Sequence, residues 1–257
     1  MSGSRRVGGI HAVEEALRTS ALVKRLWLHD GELGPGLREL LERAEGLGLP
    51  VQRCPRKELT RLLADRHHQG VVAQVEAFPY LDLRDVLARL GGSDEPALVV
   101  ACDRIQDPRN LGAVLRSAAA FGVEAVLLPI RDACEVTPAA ERASAGAARQ
   151  LAVARVDNLA KALDQLKEQG FWVAGAGARG GKSPRHLDLT GRLCLVVGAE
   201  GRGLRPGVER RCDFGITIPI HGQVESLNVS VAAAVLLYEA FCQRQTPSPT
   251  SQDQEGS

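Results

Sequence analysis

The chain has 257 residues, of which 44% are hydrophobic and 25% charged, the proportions of an ordinary globular protein. No apolar run nears the roughly 18 residues a membrane-spanning helix needs. The opening Met1-Ser2-Gly3-Ser4-Arg5-Arg6 leads into no apolar signal core, so a cytoplasmic address is expected. Net charge is +1: up to Phe78, 12 basic residues stand against 10 acidic, and beyond it 20 against 21. That balance excludes a uniformly basic nucleic-acid binder and leaves room for a local basic face.

In chain order, Val7–Leu17 reads as a short helix, Val23–Leu28 as a strand and Leu37–Leu47 as a helix. Pro50–Cys54 reads as a strand, Pro55 opens a helix at a favoured first-turn position, and Val71–Val75 closes the unit as a strand. This predicts a small α/β domain over residues 1–78. An amphipathic helix at Leu83–Leu90 and the turn-rich Gly91-Gly92-Ser93-Asp94-Glu95-Pro96 make 79–96 a linker. Buried-type strands then follow at Ala97–Ala101, Ala125–Leu128, Leu151–Ala154, Trp172–Ala176, Leu193–Val197 and Phe214–Ile218. Helical patterns at Leu111–Phe121, Asn158–Gln169 and Val229–Cys242 separate most of them. Continuous apolar strands alternating with helices predict a parallel sheet covered on both faces, in a domain over 97–244. The Gln-, Thr-, Pro- and Ser-rich residues 245–257 read as a disordered tail.

Several patterns lead nowhere. The six cysteines form no C-x-x-C pair and most lie in or next to apolar stretches, as buried small hydrophobes do. Gly175-Ala176-Gly177-Ala178-Arg179-Gly180 spells a dinucleotide fingerprint, but Gly181 and Pro184 follow where a helix would have to begin. The same stretch lacks the first glycine of a phosphate-binding loop, since position 176 is alanine. His67-His68 has too few potential ligands at metal spacing, so a solvated or hydrogen-bonded pair is the plainer reading.

Three segments carry candidate chemistry. Asp103-Arg104-Ile105-Gln106-Asp107-Pro108-Arg109-Asn110-Leu111-Gly112 leaves a strand and enters a helix near Asn110, a good cap residue, with Arg116 six positions further on. Val197-Gly198-Ala199-Glu200-Gly201-Arg202-Gly203-Leu204 follows an apolar strand directly. Its three glycines let backbone approach a ligand at a strand's C-terminal end, where α/β sheets bind. Ile218-Pro219-Ile220-His221-Gly222-Gln223-Val224-Glu225-Ser226-Leu227-Asn228-Val229-Ser230 precedes an Ala- and Leu-rich helix that Ser226 or Asn228 would cap. Each has a bland reading when taken alone: a cap, a surface ion pair, a tight turn.

Together, in this order and at these intervals, the segments resemble the signature motifs of the SpoU/TrmH branch of the SPOUT methyltransferases. Gly9-Ile10-His11-Ala12-Val13 and His68-Gln69-Gly70-Val71-Val72-Ala73 look like the N-terminal substrate-binding domain of members that modify guanosine in 23S rRNA, and Ser144-Ala145-Gly146-Ala147 fits the catalytic domain. The resemblance runs from Val7 to Arg244. It implies a SPOUT catalytic domain with a C-terminal trefoil knot, preceded by an L7Ae/L30e-like α/β domain. It also implies S-adenosylmethionine held in the knot largely by backbone groups, 23S rRNA as partner, and a homodimer whose sites combine residues of both subunits. The site needs no metal. Arg116, Asn110, Glu200, Ser226 and Asn228 match the family's catalytic positions, and Gly198, Gly203, Ile218 and Leu227 match those around the adenosine.

The implied reaction is in-line attack of a ribose 2′-oxygen on a sulfonium methyl group, with a guanosine of the peptidyl-transferase region as the implied target. The methyl group is already activated, so alignment is the protein's main task, worth up to about 7–11 kcal/mol. The family's arginine, here Arg116, is often given the role of proton acceptor; a protonated guanidinium has no acceptor, and stabilising alkoxide charge or holding a phosphate is physically easier. Glu200 would anchor Arg116 or neighbouring amides. Alternatives within the family are a tRNA or an antibiotic-resistance rRNA 2′-O-methyltransferase; outside it stands a non-catalytic rRNA-binding assembly factor.

Overall fold

The computed structural model describes residues 4–18, 23–91, 95–177, 181–199, 201–222 and 226–245. The predicted tail from 246 onward therefore lies outside the described residues. Along the first 79 residues, side chains alternating across strands build β1 (Ser4–Gly8), β2 (Val23–His29), β3 (Val51–Cys54) and β4 (Val71–Glu76). Between them run α1 (Ile10–Arg18), α2 (Pro35–Gly46) and α3 (Arg56–Leu63). The strand order is β1-β4-β2-β3, with β4 antiparallel to both neighbours and β2 parallel to β3. Leu26, Leu28, Val71, Ala73 and Val75 face α1 and α2, whereas Trp27, Cys54 and Val72 face Leu59 of α3.

The sequence pattern places a helix from Val7; the structure gives Val7 and Gly8 to β1 and starts the helix at Ile10. Arg5 and Arg6 break the apolar alternation that would have marked this edge strand. Gly9, at φ +93°, makes the sharp turn between the two elements. His29 and His68, both buried, accept hydrogen bonds through Nδ1 from the backbone of Gly31 and Gly70. His67 is exposed beside Asp65 at 2.7 Å.

The second stretch contains α4 (Leu83–Leu90), β5 (Leu98–Asp103), α5 (Pro108–Ala120), β6 (Ala125–Pro129), α6 (Pro138–Ala143), β7 (Ala152–Val156) and α7 (Leu159–Glu168). It continues through β8 (Trp172–Ala176), β9 (Leu193–Gly198), α8 (Pro206–Glu209), β10 (Phe214–Ile216) and α9 (Val229–Gln245). All six strands pair in parallel in the order β10-β8-β9-β5-β6-β7. The α/β class with a parallel sheet is thus the one the sequence predicts. Every residue of β5 and β6 is buried, as a sheet covered on both faces requires. The chain falls into two compact units, Met1–Pro79 with Thr137–Arg142, and Tyr80–Val136 with Ala143–Ser257. Helix α4, within the stretch that reads as a linker, buries Val86 and Leu90 in the core of the second unit. The fingerprint-like glycines after β8 open no helix among the described residues: Lys182 makes a parallel bridge to Ile216, and Pro184–His186 forms a 3₁₀ turn.

Burial, then the nearby Arg56 guanidinium, holds the pKa of His29 and His68 below its ordinary value. The unfolded chain, titrating at about 6.5, therefore binds protons that the folded first unit refuses. The stability involved is complete above that pH and is lost as pH falls from 6.5 toward the lowered folded values. Thermal melts between pH 7.5 and 5 should show the melting temperature falling on the acid side, and His29→Asn/His68→Asn should flatten that fall; an unflattened profile would exclude these histidines as its source.

Candidate active site

The order of the parallel sheet brings the C-terminal ends of β8, β9 and β10 together, and α9 crosses beside them. A cavity of about 340 Å³ opens there. Its described lining includes Gly177 after β8, Gly198 and Ala199 at the end of β9, Thr217 and Ile218 after β10, and Ser226, Leu227 and Leu236. Four residues matched to the adenosine region of the family, Gly198, Gly203, Ile218 and Leu227, line this one space together with Ser226. Gly198 is there because nothing larger fits: a Cβ at that position would lie 2.4 Å from the carbonyl carbon of Gly203. Backbone lies against backbone where Ala199 bridges Gly203, and the Gly203 amide donates to the Ala199 carbonyl at 2.9 Å. Gly203 itself turns at φ +61°. Glu200 lies outside the described residues.

A second cavity, of about 260 Å³, is lined by Arg104, Gln106, Asp107, Asn110 and Arg202, and shares Ala199 and Val229 with the first. Asn110 does not cap α5. Asp107 does, its carboxylate accepting from the Arg109 amide at 2.7 Å, with Pro108 in the first turn. Asn110 is thereby freed: its side-chain oxygen accepts from Asn228 Nδ2 at 3.1 Å, across 118 residues of chain. Asn228 does cap α9, since its Oδ1 accepts from the Ser230 amide at 2.9 Å and the Ser230 hydroxyl at 2.6 Å. One asparagine both starts a helix and ties the first motif to the third.

Arg116 is placed differently. Six residues beyond Asn110, it leaves α5 about 240° further round the helix. It is exposed and lines neither cavity. Sequence reasoning missed three other residues. Asp103, fully buried at the end of β5, accepts from the Arg205 backbone amide and from Arg205 Nε, both at 2.7 Å, and so fastens the end of the second motif to the central strand. Arg104 sits at φ +63°, unusual for a side-chain-bearing residue, with its Nε buried and unpartnered among the described residues. Position offered the only signal for these: Asp103 and Arg104 open the first motif, and Arg205 directly follows the second.

The thiols below the site are not nucleophiles. Burial pushes Cys102 up to about 12 and Cys212 to about 11, and raises Cys194 as well. They remain protonated fillers of the core.

A parallel sheet whose strand ends open on a glycine-walled cavity, joined to a small α/β unit, defines a ligand-binding α/β enzyme fold. Residues 97–238 match the SpoU rRNA Methylase family, and residues 6–81 match the RNA 2′-O ribose methyltransferase substrate-binding family. The chain belongs to the SpoU methylase family. It is 40% identical over 251 residues to the 23S rRNA (guanosine-2′-O-)-methyltransferase RlmB of Coxiella burnetii, covering 97% of this chain and all of that one. The SpoU methyltransferase AviRb from Streptomyces viridochromogenes, solved in complex with AdoMet, aligns with a TM-score of 0.60 at 27% identity over 94% of this chain and 91% of its own. The A. aeolicus TrmH/SpoU tRNA modifying enzyme aligns with a TM-score of 0.53 at 31% identity, over 63% of this chain and 80% of its own.

Gly198→Ala should abolish S-adenosylmethionine binding in isothermal titration while the sheet, followed by far-UV circular dichroism, stays folded. Retained affinity within about twofold would mean that the Gly198–Gly203 contact does not shape the cavity.

Proposed function

We propose that the protein transfers a methyl group from S-adenosylmethionine to the 2′-hydroxyl of a guanosine ribose in 23S rRNA, in the cytoplasm. The supporting observation is the pair of adjoining cavities, one walled by glycine backbone and apolar side chains, the other by polar groups, with the Asn110–Asn228 hydrogen bond beside them. The first suits an adenosine: Ile218, Leu227 and Leu236 offer apolar surface, and the close backbone offers hydrogen bonds to a purine edge. S-adenosylmethionine supplies, when bound, a methyl group on a positive sulfur that an alkoxide-like oxygen can attack.

The protein's own work is alignment and charge. Asn110 and Asn228, each fixed by the other, orient the ribose or the methionine end of the donor at the junction of the cavities. Ser226 adds a polar group to the wall of the first cavity, and Glu200 keeps the anchoring role that the family resemblance gives it. Arg104 and Arg202 face the second cavity, where a nucleotide brings its phosphates. The first 79 residues bind the rRNA and the remainder carries the reaction. The identity with a 23S enzyme along the whole chain favours rRNA over tRNA, since the tRNA enzyme aligns with only 63% of it.

Arg116 stands on α5, which packs against α9. Along α9, Val231, Val235 and Tyr238 are exposed by 48%, 40% and 56%, an apolar stripe at i, i+4 and i+7 whose Tyr238 end meets Phe121, the residue that ends α5, edge-on at 5.7 Å. A homodimer closing over that stripe would carry each Arg116 to the other subunit's site, where its guanidinium stabilises charge developing on the ribose oxygen.

Tritiated S-adenosylmethionine should label an unmodified 23S transcript and not a tRNA transcript, and the label should map to one guanosine 2′-oxygen. Labelling of tRNA alone would overturn the choice of substrate, and labelling of neither the enzymatic reading. Arg116→Ala should lower turnover at least about 100-fold with donor binding intact. Mixing it, after dissociation, with the inactive Gly198→Ala chain should restore roughly a quarter of wild-type turnover, because each mixed dimer regains one complete site; no recovery would place Arg116 in its own subunit's site.

A further inference from the structure

The first unit is nearly neutral in sum and polarised in space. Helices α1 and α2 carry three basic and five acidic residues, while α3 carries three basic and one acidic. The sheet face that α3 covers is only half covered. Leu63 of α3 lies so close to β1 that a Cβ on Gly8 would meet its Cδ2 at 2.3 Å, and Leu59 packs with Val72, Trp27 and Cys54. One register step away, Arg6 of β1, Gln74 of β4 and Arg25 of β2 stand side by side across three strands. Both arginines are exposed.

Trp27 holds this row in place. Its indole is 8% exposed, donates from Nε1 to Gln52 Oε1 at 3.1 Å, and has the guanidinium carbons of Arg6 and Arg25 at 5.9 and 5.8 Å from its ring. Arg6 is further fixed by donating to the Leu62 carbonyl at 2.9 Å. The indole is therefore no platform for a base. It is a rigid support that holds beside one ring two guanidiniums whose backbones stand two strand spacings, about 10 Å, apart. Neither arginine has a carboxylate partner among the described residues; the acid on this face, Glu76, is engaged by Lys24 at 3.6 Å. Two pre-ordered guanidiniums without counter-charge suit phosphodiester oxygens, which the planar fork binds bidentately with little further loss of side-chain freedom.

We propose that this open half-sheet, with Arg6 and Arg25 braced on Trp27, is the surface by which the first unit grips the RNA backbone, and that the α1–α2 face is not. The inference rests on the reading that the substrate is rRNA and adds where and how the strand is held. Contact is with phosphates, so it contributes affinity and register without base selection.

The test compares full-length wild type, Arg6→Gln/Arg25→Gln, Arg6→Lys/Arg25→Lys, and a control on the opposite face, Arg18→Gln/Arg43→Gln, which removes the same charge. Binding to a fluorescent 23S transcript fragment is read by anisotropy across a salt series, and donor binding by titration calorimetry. The glutamine pair on the sheet should weaken RNA binding about tenfold and lower the slope of log affinity against log salt by about 1.5–2, with donor affinity unchanged. The lysine pair should recover most of the slope, which excludes misfolding as the cause, and the control should match wild type. Unchanged RNA affinity in the sheet variant, or an equal loss in the control, overturns the inference while wild-type binding keeps the functional reading alive. A change in oligomeric state with RNA affinity unmoved would make the face a protein contact and also overturns it. Failure of the wild type to bind any RNA removes the functional reading itself.

Discussion

The buried carboxylate of Asp103 is the interaction on which the second unit's architecture turns. It sits fully enclosed at the end of β5 and takes both the amide and the Nε of Arg205. A carboxylate with no access to water is tolerable only when paired and hydrogen-bonded, and removing one partner of such a pair costs far more than the pair contributes. Arg205 closes the glycine loop that begins at Gly198, so the loop cannot lift from the sheet without stranding that charge. The close Gly198–Gly203 approach and the shape of the cavity behind it follow from this tether. The neighbouring residue, Arg104, is held in a left-handed conformation with a buried, unpartnered Nε, a local cost that the same anchor helps to sustain.

Much of this is legible in the sequence. The strands of the second unit announce themselves as unbroken apolar runs, and β8 and β9 fall within a residue of where the pattern puts them. Edge strand β1 does not, because a polar edge strand loses the alternation that identifies it. Two helix starts show where local rules stop. Asn110 looks like a cap by composition, but Asp107 three residues earlier already caps a helix that Pro108 opens. The freed asparagine then pairs with Asn228, a partner 118 residues away that no local pattern can supply. The trefoil knot implied by the resemblance is likewise beyond periodicity, since connection rules argue against knots in general.

Arg116 illustrates a different limit. From the sequence it belongs with Asn110, and in one chain it turns away from it, a consequence of six residues on a helix of 3.6 per turn. Helix α9 shows a complementary oddity, with apolar residues on the face that packs inward and on the face that does not. A helix apolar on all sides is ordinarily buried on all sides. The proposed dimer would account for both the exposed arginine and the exposed apolar side chains of α9.

A net charge of +1 is a poor credential for an enzyme that handles ribosomal RNA, and the structure gives a physical reason why it need not be a better one. Electrostatic attraction depends on the field at the contact surface, which falls off within about 8–10 Å in physiological salt. Acidic residues gathered on α1 and α2 therefore subtract little from a basic row on the opposite side of the sheet. A protein charged strongly throughout would bind any polyanion; one with a small braced cationic face binds where phosphates match its spacing and releases elsewhere. Bracing matters as much as charge. Long flexible side chains surrender their freedom on binding, whereas guanidiniums laid against a buried indole have already given up much of theirs, so each phosphate they meet returns a larger share of its attraction as affinity.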